Sequence, residues 1–151
     1  MNIFVTSECP VESAKYLDNR RVVKMCLESL QLLSTAINHY GGNAPYKSTH
    51  YNHPASIWTR ESYWNALWLY KHFMALCNEY TARYGKIHKC ETYAKQIESQ
   101  LYLIPSIGVN RTPFVNCTKF KDIENVLVAY QVALADKWEQ DSLKGYEPKW
   151  G

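Results

Sequence analysis

The sequence contains no apolar run approaching the roughly 20 residues that a helix needs to cross a bilayer. Its opening stretch, Met1 to Glu8, lacks the basic start and long apolar core of a secretory signal. There is no internal repeat, no low-complexity tract and no linker. Five cysteines (Cys9, Cys26, Cys77, Cys90 and Cys117) make an odd number without a tight pairing pattern. Cys26 and Cys77 fall on apolar helical faces, where a free thiol behaves as a small hydrophobe. These absences lead us to expect a soluble cytoplasmic chain in a reducing compartment, with no membrane contact, disulfide, structural zinc or cofactor. Charge of one sign is also scarce. Seventeen basic and fourteen acidic residues leave a formal net charge of +3, less than dedicated nucleic-acid binders usually carry. That balance permits a nucleic-acid partner without demanding one.

What is abundant is aromatic surface, 14% of 151 residues, with twelve Tyr and five Trp. Such side chains fill a small core well, and they also suit stacking sites because Tyr and Trp carry a polar handle. Length and composition fit one domain, residues 1–151. The pattern predicts a mostly α, single compact helical domain with a short N-terminal β-type segment at Ile3-Phe4-Val5. A short helix is expected after Pro10, then a first long helix over about residues 19–40, capped by Asp18 and stopped at Gly41-Gly42. Pro54 opens the next helical stretch with Asn52 or His53 near its cap, a break near Ser62, and a stop at Gly85. A helix over 88–101, an irregular connection over 104–121, a last helix over about 122–141 and an aromatic-anchored tail complete the expectation.

Three polar clusters stand out. On the first long helix, Arg21, Lys24, Glu28, Gln31 and Thr35 share one narrow sector of an otherwise apolar circumference. A surface helix shows the opposite balance, so this helix is expected to be central with its polar stripe facing a cleft. The plain alternative is a solvated face carrying a Lys24–Glu28 pair. In a cleft, Glu28 would serve as general base or electrostatic partner, beside Lys24. The second cluster is His50-Tyr51-Asn52-His53-Pro54. Two histidines could bind metal with His88 or Cys90, but the ligand spacing is wrong for zinc, and phosphate at a helix N-terminus suits Asn52 and His53 better. The alternative is simple capping. The third is the run from Tyr80 to Lys89, where Arg83 and Lys86 alternate with aromatics as in a stacking-plus-phosphate surface, or as at any helix C-terminus. Asn65, His72, Glu79 and Arg83 recur at helical spacing as a second polar seam. We expect Arg21, Lys24, Glu28 and Gln31 to line one cleft with His50 or His53.

The order of these motifs resembles the pyrimidine-dimer DNA glycosylase family of phages and microbes. It rests on the short start, Tyr16-Leu17-Asp18, Val22-Val23, Glu28 and Leu32-Leu33, and the loop into Asn52-His53-Pro54, about the first 85 residues. The resemblance implies a helical domain that extrudes a nucleotide and uses its N-terminal amine to attack the sugar C1′, assisted by a glutamate at the position of Glu28. Members expose a Thr after removal of Met, whereas Asn2 is too large for that removal, so Met1 would supply the amine. An Arg commonly precedes the glutamate; here Leu27 stands there, and Arg21 or Lys24 would provide charge. The implied enzyme cleaves the N-glycosidic bond of a base in DNA or a nucleotide, with Glu28, Met1 and Lys24 catalytic and Arg21, Gln31, His50, Asn52, His53, Arg83 and Lys86 holding substrate. The competing reading is a non-catalytic nucleotide- or nucleic-acid-binding protein, of a kind a phage could encode to sequester nucleotides. On sequence alone, a covalent imine at Met1 ranks behind water activation by Glu28 and behind binding alone.

Overall fold

A computed structural model describes all residues, 1–151, and is helical with no strand. Six α-helices follow in order: α1 (Pro10–Tyr16), α2 (Asn19–His39), α3 (Pro54–Glu61), α4 (Tyr63–Tyr84), α5 (Ala94–Glu98) and α6 (Val126–Leu143). No helix is long and apolar enough to cross a membrane. Helix α2 lies at the centre, packed on α3, α4 and α5, and more than half of its residues are buried, Ser29, Ser34 and Thr35 included. Its apolar circumference requires that position, because so broad an apolar surface cannot face water.

The break at Ser62 arises because its backbone is extended (φ −156°, ψ 148°) while its hydroxyl accepts from Trp64 N–H. Gly85 ends α4 in the left-handed conformation at φ 73°, a region that costs a side-chain-bearing residue about 1 kcal/mol or more. Gly42 matters for a different reason. A Cβ there would sit 2.4 Å from Ile37 Cγ2 and 2.9 Å from Leu103 Cδ1. Gly42→Ala is therefore expected to cost about 1–3 kcal/mol through overpacking. Urea unfolding would check this, and an unchanged midpoint would contradict it.

The expected N-terminal β segment is absent. Ile3, Phe4 and Val5 are all buried, but no second chain segment pairs with them. Their backbone is satisfied by side chains instead. Asn2 Oδ1 accepts from Ile3 N–H (2.7 Å) and Phe4 N–H (3.0 Å), and Ser13 Oγ accepts from Thr6 N–H at 3.0 Å. Phe4 adopts φ 58°, which folds this apolar run into a hook where a strand would stay extended.

Two further elements differ from the sequence expectation. The stretch over 88–101 is a 3₁₀ turn (Lys89–Tyr93), the short α5, and a second 3₁₀ turn (Leu101–Leu103). Cys90, Ala94, Ile97 and Leu101 keep one buried face, so the apolar period survives while local side-chain bonds tighten the backbone. Helix α6 begins at Val126, later than expected, where Asn125 Oδ1 accepts from Leu127 and Val128 N–H. Asp18 stands at the start of α2 without a side-chain cap bond. Its buried carboxylate accepts instead from Trp138 Nε1 at 2.7 Å and pairs with Arg21 at 3.3 Å.

The polar seam on α4 fastens the chain to itself. Asn65 Nδ2 donates to Thr112 Oγ1 and Asn65 Oδ1 accepts from Thr112 N–H, both at 2.8 Å. His72 Nδ1 donates to Pro10 O at 2.9 Å. Arg83 spends all five of its N–H donors on Glu79, Leu17 O, Asn19 Oδ1 and Lys15 O, tying α4 to the α1–α2 junction. Phe114 packs on Trp58 and Trp68, while Tyr130 hydroxyl donates to Val115 O at 2.7 Å. Through these anchors the segment 112–121, irregular in the sequence reading, is drawn against the N-terminal hook.

Candidate active site

The hook delivers the chain's first residues to the polar stripe of α2. Glu28 Oε1 accepts from Asn2 N–H at 3.0 Å and lies 3.7 Å from the Met1 amine. Lys24 Nζ approaches the other carboxylate oxygen at 3.8 Å. The Met1 side chain is 3% exposed and Glu28 12%, whereas Lys24 is 71% exposed. The amine is thus held from behind by a buried thioether chain, and the lysine is a solvated neighbour. Its ion pair contributes at most about 1 kcal/mol.

His53 caps α3, its Nδ1 accepting from Ala55 N–H at 3.0 Å. That bond leaves the neutral ring's proton on Nε2. Burial, then the ammonium of Met1 and then His50, hold His53 below its ordinary pKa, against the opposing pull of Glu28. The same influences place His53 in the electrostatic field of the Met1–Glu28 pair, with Lys121 contributing from the C-terminal half. His50 is exposed with φ 49°, its Nδ1 3.0 Å from Thr49 Oγ1, and Asn52 is exposed and leaves the capping to His53. Thr35 Oγ1 accepts from Thr49 N–H at 3.1 Å and lies 3.3 Å from Thr49 O, which pins this loop to α2.

Not every expected residue joins this cluster. Arg21 turns its guanidinium to Asp141 (2.9 Å) and Asp18 (3.3 Å). It still borders an open depression of about 290 Å³ lined by Arg20, Arg21, Lys24 and Asp141. Gln31 is half-buried one turn along, its main-chain carbonyl accepting from Thr35 Oγ1 at 2.9 Å. Arg83 is consumed by the internal bonds described above, and Lys86 stands exposed beyond α4 without a polar contact to Met1 or Glu28. His88 caps a 3₁₀ turn through Cys90 N–H and lies 3.2 Å from Val23 O. The five cysteines are free, and no three potential metal ligands come together.

A second cavity, about 240 Å³, lies between the 117–120 segment and α6, with Asn2 in its wall. Asn2 thereby joins this cavity to Glu28, and Glu28 is joined through Lys24 to the basic depression. Lys119, Phe120, Asp136, Lys137 and Gln140 line this cavity, and none of them stands out in the sequence clusters above. The available signal was Lys119-Phe120-Lys121, an aromatic between cations in a stretch read only as connection.

The α-amine of Met1 thus stands beside a helix-borne carboxylate, with depressions carrying basic side chains nearby. Residues 1–92 match the model of the pyrimidine dimer DNA glycosylase family, and the chain belongs to that family. No curated protein and no solved structure matches it.

Proposed function

We propose that this protein is a DNA glycosylase whose nucleophile is the Met1 α-amine and whose catalytic carboxylate is Glu28. The observation that carries the reading is the 3.7 Å approach of the amine to Glu28 Oε1, steadied by the adjacent Asn2 N–H on the same oxygen. That geometry promotes the covalent route over the water and binding routes, because nucleophile and proton acceptor already stand as neighbours.

The chemistry follows from those positions. The Met1 ammonium first gives a proton to solvent; the neutral amine then attacks C1′ as the C1′–N bond to the base breaks, and that bond's electron pair leaves with the base, which takes a proton from solvent. The new C1′–N bond makes the amine cationic, and Glu28 accepts one of its protons. Returning that proton to O4′ as the C1′–O4′ bond opens gives a protonated imine between Met1 and the sugar. Lys24, Arg20 and Arg21 offer charge to backbone phosphates, and His53 offers Nε2–H to a phosphate or base carbonyl. DNA as the partner follows from the family to which the chain belongs.

Borohydride trapping on a duplex with one abasic site tests this reading. Reduction should fix a stable adduct, and peptide mapping should place it on Met1. An adduct on Lys24 would move the nucleophile to the side chain. Base release without any adduct would leave Glu28 activating water, and neither adduct nor release would identify a binding protein.

A further inference from the structure

The start of the hook carries an inference that rests on the glycosylase reading and deepens it, because it bears on how the nucleophile is aimed. Asn2 is held from both sides. Its backbone N–H donates to Glu28 Oε1 at 3.0 Å, the oxygen that also faces the Met1 amine at 3.7 Å. Its side-chain Oδ1 accepts from the next two amides, Ile3 N–H at 2.7 Å and Phe4 N–H at 3.0 Å. Neither amide has another partner, and both residues are buried, where an unpaired N–H is costly. The same two bonds close the turn in which Phe4 takes φ 58°, a conformation unfavourable for a residue with a Cβ. Edge contact with Tyr130, at 6.4 Å between ring centroids, keeps the Phe4 ring in the core.

We propose that the Asn2 side chain is the positioning residue for the Met1 amine. It touches no reacting atom and acts through the backbone. The planar Met1–Asn2 peptide leaves one backbone torsion, ψ of Met1, between the Asn2 nitrogen and the amine. With that nitrogen fixed on Glu28, the torsion alone sets where the amine stands, and the buried Met1 side chain limits it. The two bonds to Oδ1 fix the course of the chain from Asn2 into the hook. Without them, two buried amides lose their only acceptor, and the hook relieves them by shifting toward water, which carries the amine away from Glu28. A displacement of about 1 Å in a reacting group costs up to about 10²-fold in rate. The other acceptor in the hook, Ser13 Oγ, is already taken by Thr6 and Ser7 N–H and cannot substitute. A carboxamide also supplies the needed oxygen without setting a second negative charge beside the amine.

The test is the rate of borohydride-trapped adduct on a duplex with one abasic site, at saturating protein, for the wild type and three variants. An abasic site carries no base to meet the cavity beside Asn2, so the rate reads the amine alone. Asn2→Leu should form the adduct at least about tenfold more slowly with duplex affinity unchanged, since an uncharged side chain adds nothing to phosphate binding. Asn2→Asp keeps an acceptor in the same place and should restore most of the rate on the plateau of its pH profile. Ser13→Ala removes the acceptor of Thr6 and Ser7 N–H farther along the hook and should trap at the wild-type rate, which a role in hook stability alone would not allow. Intact mass verifies Met1 in each protein, thermal melting verifies folding, and amide exchange at Ile3 and Phe4 should quicken in Asn2→Leu but not in Asn2→Asp. A wild-type rate in Asn2→Leu overturns the assignment and leaves the glycosylase reading intact. So does an equal loss in Ser13→Ala, or no recovery in a folded Asn2→Asp. Absence of any adduct in the wild type overturns the glycosylase reading itself, and this assignment with it.

Discussion

Glu28→Gln is expected to slow base release by roughly 10²–10⁴-fold, the span over which a positioned proton acceptor usually contributes. The substitution keeps side-chain size and keeps an oxygen for the Asn2 N–H, so the hook should hold its place. What it removes is the carboxylate that faces the Met1 amine and Lys24. Affinity for intact duplex should hold or improve, because a negative charge disappears from a basic face. Single-turnover release assays beside equilibrium binding read both effects. Retention of full turnover would remove Glu28 from the mechanism. A binding-only protein would show a change in affinity and no turnover to lose.

Acid is expected to destabilise the protein through His72 by about 3 kcal/mol between pH 7 and pH 4. The ring is fully buried and stacked on Trp68 with centroids 5.3 Å apart. Its Nδ1 donates to Pro10 O, which leaves Nε2 buried with no partner. Burial pushes its pKa down to about 4 from 6.5. Between those values the unfolded chain binds a proton that the folded chain refuses. The contribution is therefore fully present above about pH 6.5 and drains away as pH falls through 4, at about 1.4 kcal/mol for each pH unit. His72→Gln should flatten that dependence in denaturant titrations at the two pH values. Parallel losses in variant and wild type would show that other groups carry the acid sensitivity. Because His72 holds Pro10 and Trp68 Nε1 donates to Glu8 O at 2.8 Å, segment 8–10 should loosen first, visible as faster amide exchange there.

Much of the helical order was legible because each signal is local. Pro54 after His53, the Ser62 break and the Gly85 stop act through neighbouring backbone groups, and the structure shows all three. The narrow polar sector of α2 was legible for the same reason, since helical period alone sets which side chains share a face. The misreadings have separate causes. Ile3-Phe4-Val5 has strand composition, but a strand requires a partner, and whether one exists is not a local property. The last helix starts late because Asn125 supplies a cap that competes with the residues before it. Arg83 looks like a phosphate ligand in sequence, yet carbonyls more than sixty residues away take its donors.

Taken alone, the sequence determined the long helices up to Gly85, the central position of α2 and the presence of one acid, Glu28, among cations on its polar edge. These depend on periodicity and capping, which operate over a few residues. Only the tertiary structure decided which groups meet that acid. The Met1 amine reaches it because a buried hook turns at Phe4, while Asn65, Tyr130 and the Trp58–Phe114 packing hold the 112–115 stretch against residues far from it in the chain. Those contacts join residues far apart in the chain, and their free energy comes from burying surface and pairing polar groups that no short window of sequence contains.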